Sequence, residues 1–174
     1  MSRDRRYLLR HLASILVLPL NALIVIPAVI LLWTQDSEPG WGLEPPWSYV
    51  PSLAGAGLIV AGLRLMYSTI MLFFRVGEGT LAPWDPPTKF VVQGIYRRVR
   101  NPMIIGVLTI LCGEGLVWGS CGILLWFVFW SLCNMIYMPL FEEPELERRF
   151  GEPYRLYRAN VPRWIPRRSP WQQP

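Results

Sequence analysis

An all-α, polytopic membrane bundle of about four transmembrane helices is the fold class that this sequence predicts, on three observations. Of its 174 residues, 52% are hydrophobic, only 17% are charged, and nine are tryptophan, a composition suited to a chain solvated by lipid. The apolar residues gather into four segments, about 11–33, 50–74, 103–118 and 121–141. The first, second and fourth reach the ~20 residues needed to cross the hydrocarbon layer. The charges are also one-sided: every basic residue except Arg64 lies before the first segment, between the second and third, or after the fourth, whereas 34–49 holds only Asp36, Glu38 and Glu44. With four spans, the positive-inside rule places both termini and the central loop 75–102 in the cytoplasm. The whole chain, 1–174, reads as one domain, and its compactness points to a bacterial inner membrane.

The first span follows Arg3, Arg5, Arg6 and Arg10 and contains Pro19, Asn21 and Pro27, which predict a kinked helix tolerated among neighbours. Its basic start resembles a signal peptide, but the run is long and has no small-residue cleavage site before Thr34, so it is read as a retained span. The outer loop carries Trp41, Trp47 and Tyr49 as interfacial aromatics. The second span opens with Ala54-Gly55-Ala56-Gly57, followed by Ala61-Gly62, small residues that let another helix approach closely. The third span is short; it crosses if Asn101-Pro102 caps it at the headgroups and Gly119-Ser120 turns it tightly into the fourth.

Arg64 and Glu114 are the two charges inside the spans, both about 15 to 17 Å from the cytoplasmic edge at 1.5 Å per residue. An isolated charge there costs at least ~3 kcal/mol, so an ion pair or a polar pocket is expected. A structural pair locking the second and third spans is favoured over a headgroup contact. Cys112, Cys121 and Cys133 fall in or beside the spans with no CxxC spacing, which indicates neither a disulfide framework nor a metal site.

The loop 75–102 is rich in Gly and Pro, yet Trp84, Phe90, Val91, Val92 and Tyr96 give it apolar anchors, so it is expected to fold over the cytoplasmic mouth. After the fourth span, Glu142-Glu143-Pro144-Glu145 has the form of a helix N-terminus. Leu146, Phe150, Tyr154, Tyr157 and Val161 then recur at helical spacing, broken at Gly151 and Pro153. Periodicity alone favours a membrane-surface anchor for 142–174.

Most soluble-enzyme signatures are missing: there is no Gly-rich phosphate loop, and the only histidine, His11, lies in the N-terminal basic patch, which removes Ser-His-Asp chemistry. What remains on the cytoplasmic face is Glu142 and Glu143, Arg97, Arg98 and Arg100, Asn101, and the aromatics Phe90, Tyr96, Tyr154 and Tyr157. Such a set suits a ligand with an ammonium, a carboxylate and an aromatic base. S-adenosylmethionine has all three, although nicotinamide or headgroup ligands fit nearly as well.

The segment Gly94-Ile95-Tyr96-Arg97-Arg98-Val99-Arg100-Asn101-Pro102-Met103, the pair Glu142-Glu143, and the tail Phe150-Gly151-Glu152-Pro153-Tyr154 through Tyr157 to Val161-Pro162-Arg163-Trp164-Ile165-Pro166 resemble the isoprenylcysteine carboxyl methyltransferase and phospholipid methyltransferase superfamily of integral membrane enzymes. The resemblance implies a cytoplasmic S-adenosylmethionine pocket built from the central loop, the start of the third span and the end of the fourth, with the C-terminal amphipathic helix contributing. Thr88, Lys89, Phe90, Val91, Tyr96, Asn101, Pro102, Met103, Ile104, Glu142 and Glu143 would contact the donor, with Arg100 and Glu142 in the catalytic positions. The superfamily motif commonly reads Arg-His-Pro with a tyrosine two residues after the proline; here Asn101 and Ile104 stand instead. Asparagine can donate and accept hydrogen bonds but cannot become cationic. The prenylcysteine enzymes also place an arginine shortly before the acidic pair, and residues 137–141 have none, so prenylcysteine specificity is not carried over.

The implied activity is methyl transfer to a lipophilic acceptor, the carboxylate or amine of a lipid or prenylated molecule, at the cytoplasmic membrane face. A carboxylate acceptor needs no base, whereas an amine would draw on Glu142, Glu143 or Glu78. The partners are that acceptor and membrane lipids, with no nucleic acid. Two other readings stay open: an NADPH-dependent membrane reductase of the sterol reductase type, whose tail pattern is similar, and a non-catalytic scaffold whose basic inner face binds anionic lipid.

Overall fold

The computed structural model describes residues 20–76 and 90–172, and among these every regular element is helical. A π turn at Asn21–Val25 leads into α1 (Ile26–Thr34), followed by α2 (Tyr49–Val76), α3 (Pro102–Trp118) and α4 (Cys121–Tyr137). A second π turn, Met138–Glu142, passes into α5 (Glu143–Phe150), and α6 (Glu152–Asn160) follows. Two stretches, Tyr49–Leu72 and Cys121–Phe150, are long and apolar enough to cross a membrane, whereas Asn21–Thr34 and Pro102–Trp118 are shorter apolar helices. The expected first span therefore lies partly outside the described residues. The third, at 17 residues, extends about 25 Å along its axis.

The small residues of α2 have their partner in α3. A Cβ on Gly55 would lie 2.6 Å from the Gly113 carbonyl oxygen, and one on Gly62 would lie 2.7 Å from that of Gly106. Two glycines two turns apart on each antiparallel helix thus bring the backbones together. Ala22, Leu23, Met66, Val107, Ile110 and Leu111 are buried in one cluster, with Trp126, Phe127 and Trp130 packed against it. At the far end, Gly119 ends α3 in the left-handed region at φ 60°. Ser120 accepts from the Ile123 amide (3.2 Å), and the Asp36 carboxylate accepts from Gly122 (2.8 Å). Trp41 Nε1 donates to the Leu116 carbonyl at 3.1 Å, holding the loop after α1 against the hairpin.

Three expectations are revised. Arg64 and Glu114 form no ion pair: Arg64 is exposed on α2, and Glu114 Oε2 is buried without a hydrogen-bond partner. Matching depth does not fix the azimuth. The glycine seam sets which faces of α2 and α3 meet, and Arg64, two residues past Gly62, points away from it. Residues 142–145 do open α5, with Glu143 and Glu145 in its first turn, but not after a break in the chain. Residues 121–150 run as one helical stretch, with Glu142 at φ −73°, ψ −48° and the Glu143 amide donating to the Met138 carbonyl. The one-residue slip of a π turn carries the helix past Pro139 and Pro144. At 30 residues the stretch is about 45 Å long, so its charged end from Glu142 onward projects beyond a ~30 Å hydrocarbon core.

The third revision concerns the tail. After the break at Gly151 (φ 60°) it folds back on 90–100 rather than lying free as an anchor. Tyr154, Tyr157, Val161 and Trp171 are buried together, with Phe90, Val92, Leu146 and Phe150 packed around them. Backbone bonds stitch the two segments: Arg167 N to Arg98 O (2.9 Å), Trp171 N to Arg97 O (2.7 Å) and Arg100 N to Pro162 O (3.0 Å).

Candidate functional site

The turn at Gly94–Arg97, the start of α3 and the end of the long helix converge under this tail. Gly94, at φ 54°, turns the chain where other residues would be strained. Val99 is fully buried, and the next residue, Arg100, reaches Glu143. Arg100 Nη1 donates to Glu143 Oε1 at 2.7 Å; Arg163 donates from Nε to Oε1 at 2.6 Å and from Nη2 to Oε2 at 2.8 Å. The Arg100 and Glu143 side chains are only 10% and 7% exposed. Both Glu143 oxygens are therefore occupied, one of them twice, by short charge-assisted bonds.

Glu142, one residue earlier, is half-buried and makes no ion pair with a described residue. Burial, followed by repulsion from Glu143, pushes its carboxyl above the ordinary range. The Tyr154 hydroxyl is pushed up to about 12 by burial and by Glu143, against the opposing pull of Arg100. Tyr96 is raised well above its ordinary value by burial, with Tyr157 and Glu142 adding to the shift. Tyr157, also raised mainly by burial, donates its hydroxyl to the Tyr96 carbonyl at 2.8 Å. All three phenols thus stay protonated across the neutral range and act as neutral hydrogen-bonding groups.

Among the described residues three buried donors have no partner, and two of them are here: Arg100 Nε and Asn101 Nδ2, the third being Trp130 Nε1 in the helical core. Asn101 is the N-cap residue of α3 but makes no side-chain cap bond, so its amide is not used by the helix. A buried donor left unpaired costs about 1–3 kcal/mol; these two belong to consecutive residues, and with Glu142, next in the chain to the Arg100 partner Glu143, they offer the groups that a ligand bearing both a carboxylate and an ammonium requires.

The residues expected to hold a donor are divided by the structure. Arg100, Glu143 and Tyr154 come together, with Glu142 near enough to act on Tyr96 and Tyr154, while Asn101 is placed only by following Arg100 at the start of α3. Phe90 is instead enclosed by Phe150, Tyr154 and Tyr157, with ring centroids 5.2, 5.8 and 5.3 Å away, and it anchors the tail. Val91 and Pro102 are buried, Met103 packs on the helical core, and Ile104 is half-buried on α3. Thr88 and Lys89 lie outside the described residues. Arg163 was not singled out from the sequence; the available signal was a lone arginine directly after Val161-Pro162.

The profile of the phospholipid methyltransferase family matches residues 50–153, which covers α2 through α5 and includes Arg100, Asn101, Glu142 and Glu143. The chain is also 24% identical over 165 residues to a methanethiol S-methyltransferase from Pseudomonas sp. (strain GM41(2012)), a match covering 86% of this chain. It spans 58% of that protein's length.

Proposed function

This chain belongs to the phospholipid methyltransferase family, and on that premise we propose that it transfers a methyl group from S-adenosylmethionine to a lipophilic acceptor at the cytoplasmic face of a bacterial inner membrane, both termini lying on that side. The observation that carries the proposal is the pair of orphaned donors, Arg100 Nε and Asn101 Nδ2, on the residues that meet Glu143, whose neighbour Glu142 makes no ion pair with a described residue. Glu142 would take the donor's ammonium, and Arg100 with Asn101 its carboxylate. When bound, the donor supplies a methyl on a sulfonium that needs no further activation.

The work left to the protein is positioning in a water-poor site. Glu143 holds Arg100 in one orientation, Arg163 holds Glu143, and the aromatic cluster around Phe90 fixes the tail across the site. Catalytic participation of Arg100 and Glu142 belongs to the same proposal and consists of holding the donor in line for transfer, since a Glu142 carboxylate paired with the ammonium is not free to take the acceptor's proton. A thiol is a second acceptor class to consider, because the Pseudomonas relative is a methanethiol S-methyltransferase. The test is incubation of the purified protein with methyl-labelled S-adenosylmethionine and either membrane lipid extract or a small alkyl thiol. Label in an extractable lipid supports the lipid reading, label in a thioether supports the thiol, and no transfer to either contradicts the proposal.

A further inference from the structure

Where the Gly94–Arg97 turn meets α2, a groove of about 470 Å³ is lined by Ala61, Arg64, Leu65, Ser68, Gly94, Ile95 and Arg98. We propose that this groove is a binding site for an anionic membrane phospholipid, with its phosphate held by Arg64 and Arg98 and one acyl chain along Ala61, Leu65 and Ile95.

The helix supplies half of the site by its periodicity. Ala61, Arg64, Leu65 and Ser68 recur at i, i+3, i+4 and i+7 and form one stripe of α2. That stripe is separate from the Gly55 and Gly62 seam committed to α3. The loop supplies the other half: the backbone of Gly94 passes close to Leu72, with its Cβ position 3.7 Å from the leucine side chain, which brings Ile95 and Arg98 alongside the stripe.

Charge complementarity identifies the occupant. Arg100, Arg148, Arg155, Arg158 and Arg163 each have a carboxylate within 4 Å. Among the described residues no carboxylate faces Arg64 or Arg98, and Arg98 spends one nitrogen on the Arg168 carbonyl at 2.9 Å. Both are exposed, and Arg64 lies within the apolar stretch Tyr49–Leu72. A guanidinium cannot shed its charge. It can extend along the helix toward the headgroup layer, which still leaves a cation at the edge of hydrocarbon in need of an anion. Two arginines lining one groove with a mostly apolar wall match a phosphate joined to acyl chains, in a layer where such lipids are abundant.

The test is native mass spectrometry of the full chain in detergent, titrated with phosphatidylglycerol, phosphatidylcholine or inorganic phosphate. It compares the wild type with Arg64→Gln, Arg98→Gln and the double variant. Phosphatidylglycerol should be retained by the wild type, with affinity about fivefold lower in each single variant and about 25-fold lower in the double one. Arg64→Lys, which keeps the charge, should retain most of the binding. Undiminished phosphatidylglycerol binding in the double variant overturns the proposal, as does equal retention of phosphatidylcholine. Competition by millimolar inorganic phosphate alone would assign the groove to a free anion and overturn the lipid assignment. S-adenosylmethionine affinity, measured on Arg64→Gln, should be unchanged, so failure of the methyl-donor reading leaves this result interpretable.

Discussion

Replacing Glu143 with alanine removes the one anion that neutralises two guanidiniums, and its cost can be worked from the geometry. The carboxylate is 7% exposed and receives three hydrogen bonds of 2.6–2.8 Å. Arg100, 10% exposed, would then keep a buried charge with no counterion, which typically costs about 3–5 kcal/mol. Arg163 is 27% exposed and can recover water, so Arg163→Ala, which leaves Glu143 bonded to Arg100, should cost only about 1–2 kcal/mol. For a chain of this size the two losses correspond to drops in melting temperature of about 10 °C or more and about 3–6 °C. Thermal unfolding of the ligand-free protein in a single detergent measures both. A Glu143→Ala protein within about 1 kcal/mol of the wild type, or an Arg163→Ala protein that suffers more, would refute the view that Glu143 is chiefly the brace for Arg100.

Other perturbations test other parts of the account. Gly113→Ala places a Cβ 2.6 Å from the Gly55 carbonyl and 2.8 Å from an Ile59 side-chain carbon, so it should force α2 and α3 apart at a cost of about 1–3 kcal/mol, read as a lowered melting temperature; Gly57→Ala, with nothing within 4 Å, is the neutral control. Phe90→Ala empties the centre of the aromatic cluster and should cost about 3 kcal/mol, exposing the tail to limited proteolysis near Gly151 while 50–72 stays protected. Glu142 has a raised folded-state proton affinity, so the folded protein holds this proton more tightly than the unfolded chain. Its ionisation therefore erodes stability as pH rises from the ordinary carboxylate value near ~4.3 through the raised one. Glu142→Gln should abolish that slope, and its advantage over the wild type, followed by unfolding at stepped pH, should grow across the window and then level off. Donor affinity should rise with pH over the same window, because the ionised form holds the ammonium.

The helices were legible from composition and apolar runs because lipid-facing and helix-facing surfaces are both apolar, so the segments stand out from the charged connections. For the same reason the faces were not legible. Nothing along a uniformly apolar span distinguishes the side of Arg64 from that of Gly62 until Gly106 and Gly113 are placed opposite Gly55 and Gly62. The continuous helix through Glu142 was missed because two prolines and an acidic pair imitate a helix start after a break, and a one-residue π slip leaves no compositional mark. The division of labour between Glu142 and Glu143 was likewise invisible: it depends on Arg163, twenty residues on in the chain, being carried back by the Phe90 cluster. The tail's apolar periodicity was read correctly as amphipathic, but a stripe alone does not say whether lipid or protein covers it.

The central claim is that the orphaned donors of Arg100 and Asn101, with Glu142, hold a zwitterionic methyl donor. Calorimetric titration of S-adenosylmethionine into the detergent-solubilised wild type and Glu142→Gln tests it most directly. One-site binding by the wild type, weakened about tenfold or more in Glu142→Gln without any loss of thermal stability, is the predicted result. Equal affinity in the two proteins, or no binding by a folded wild type, would contradict it.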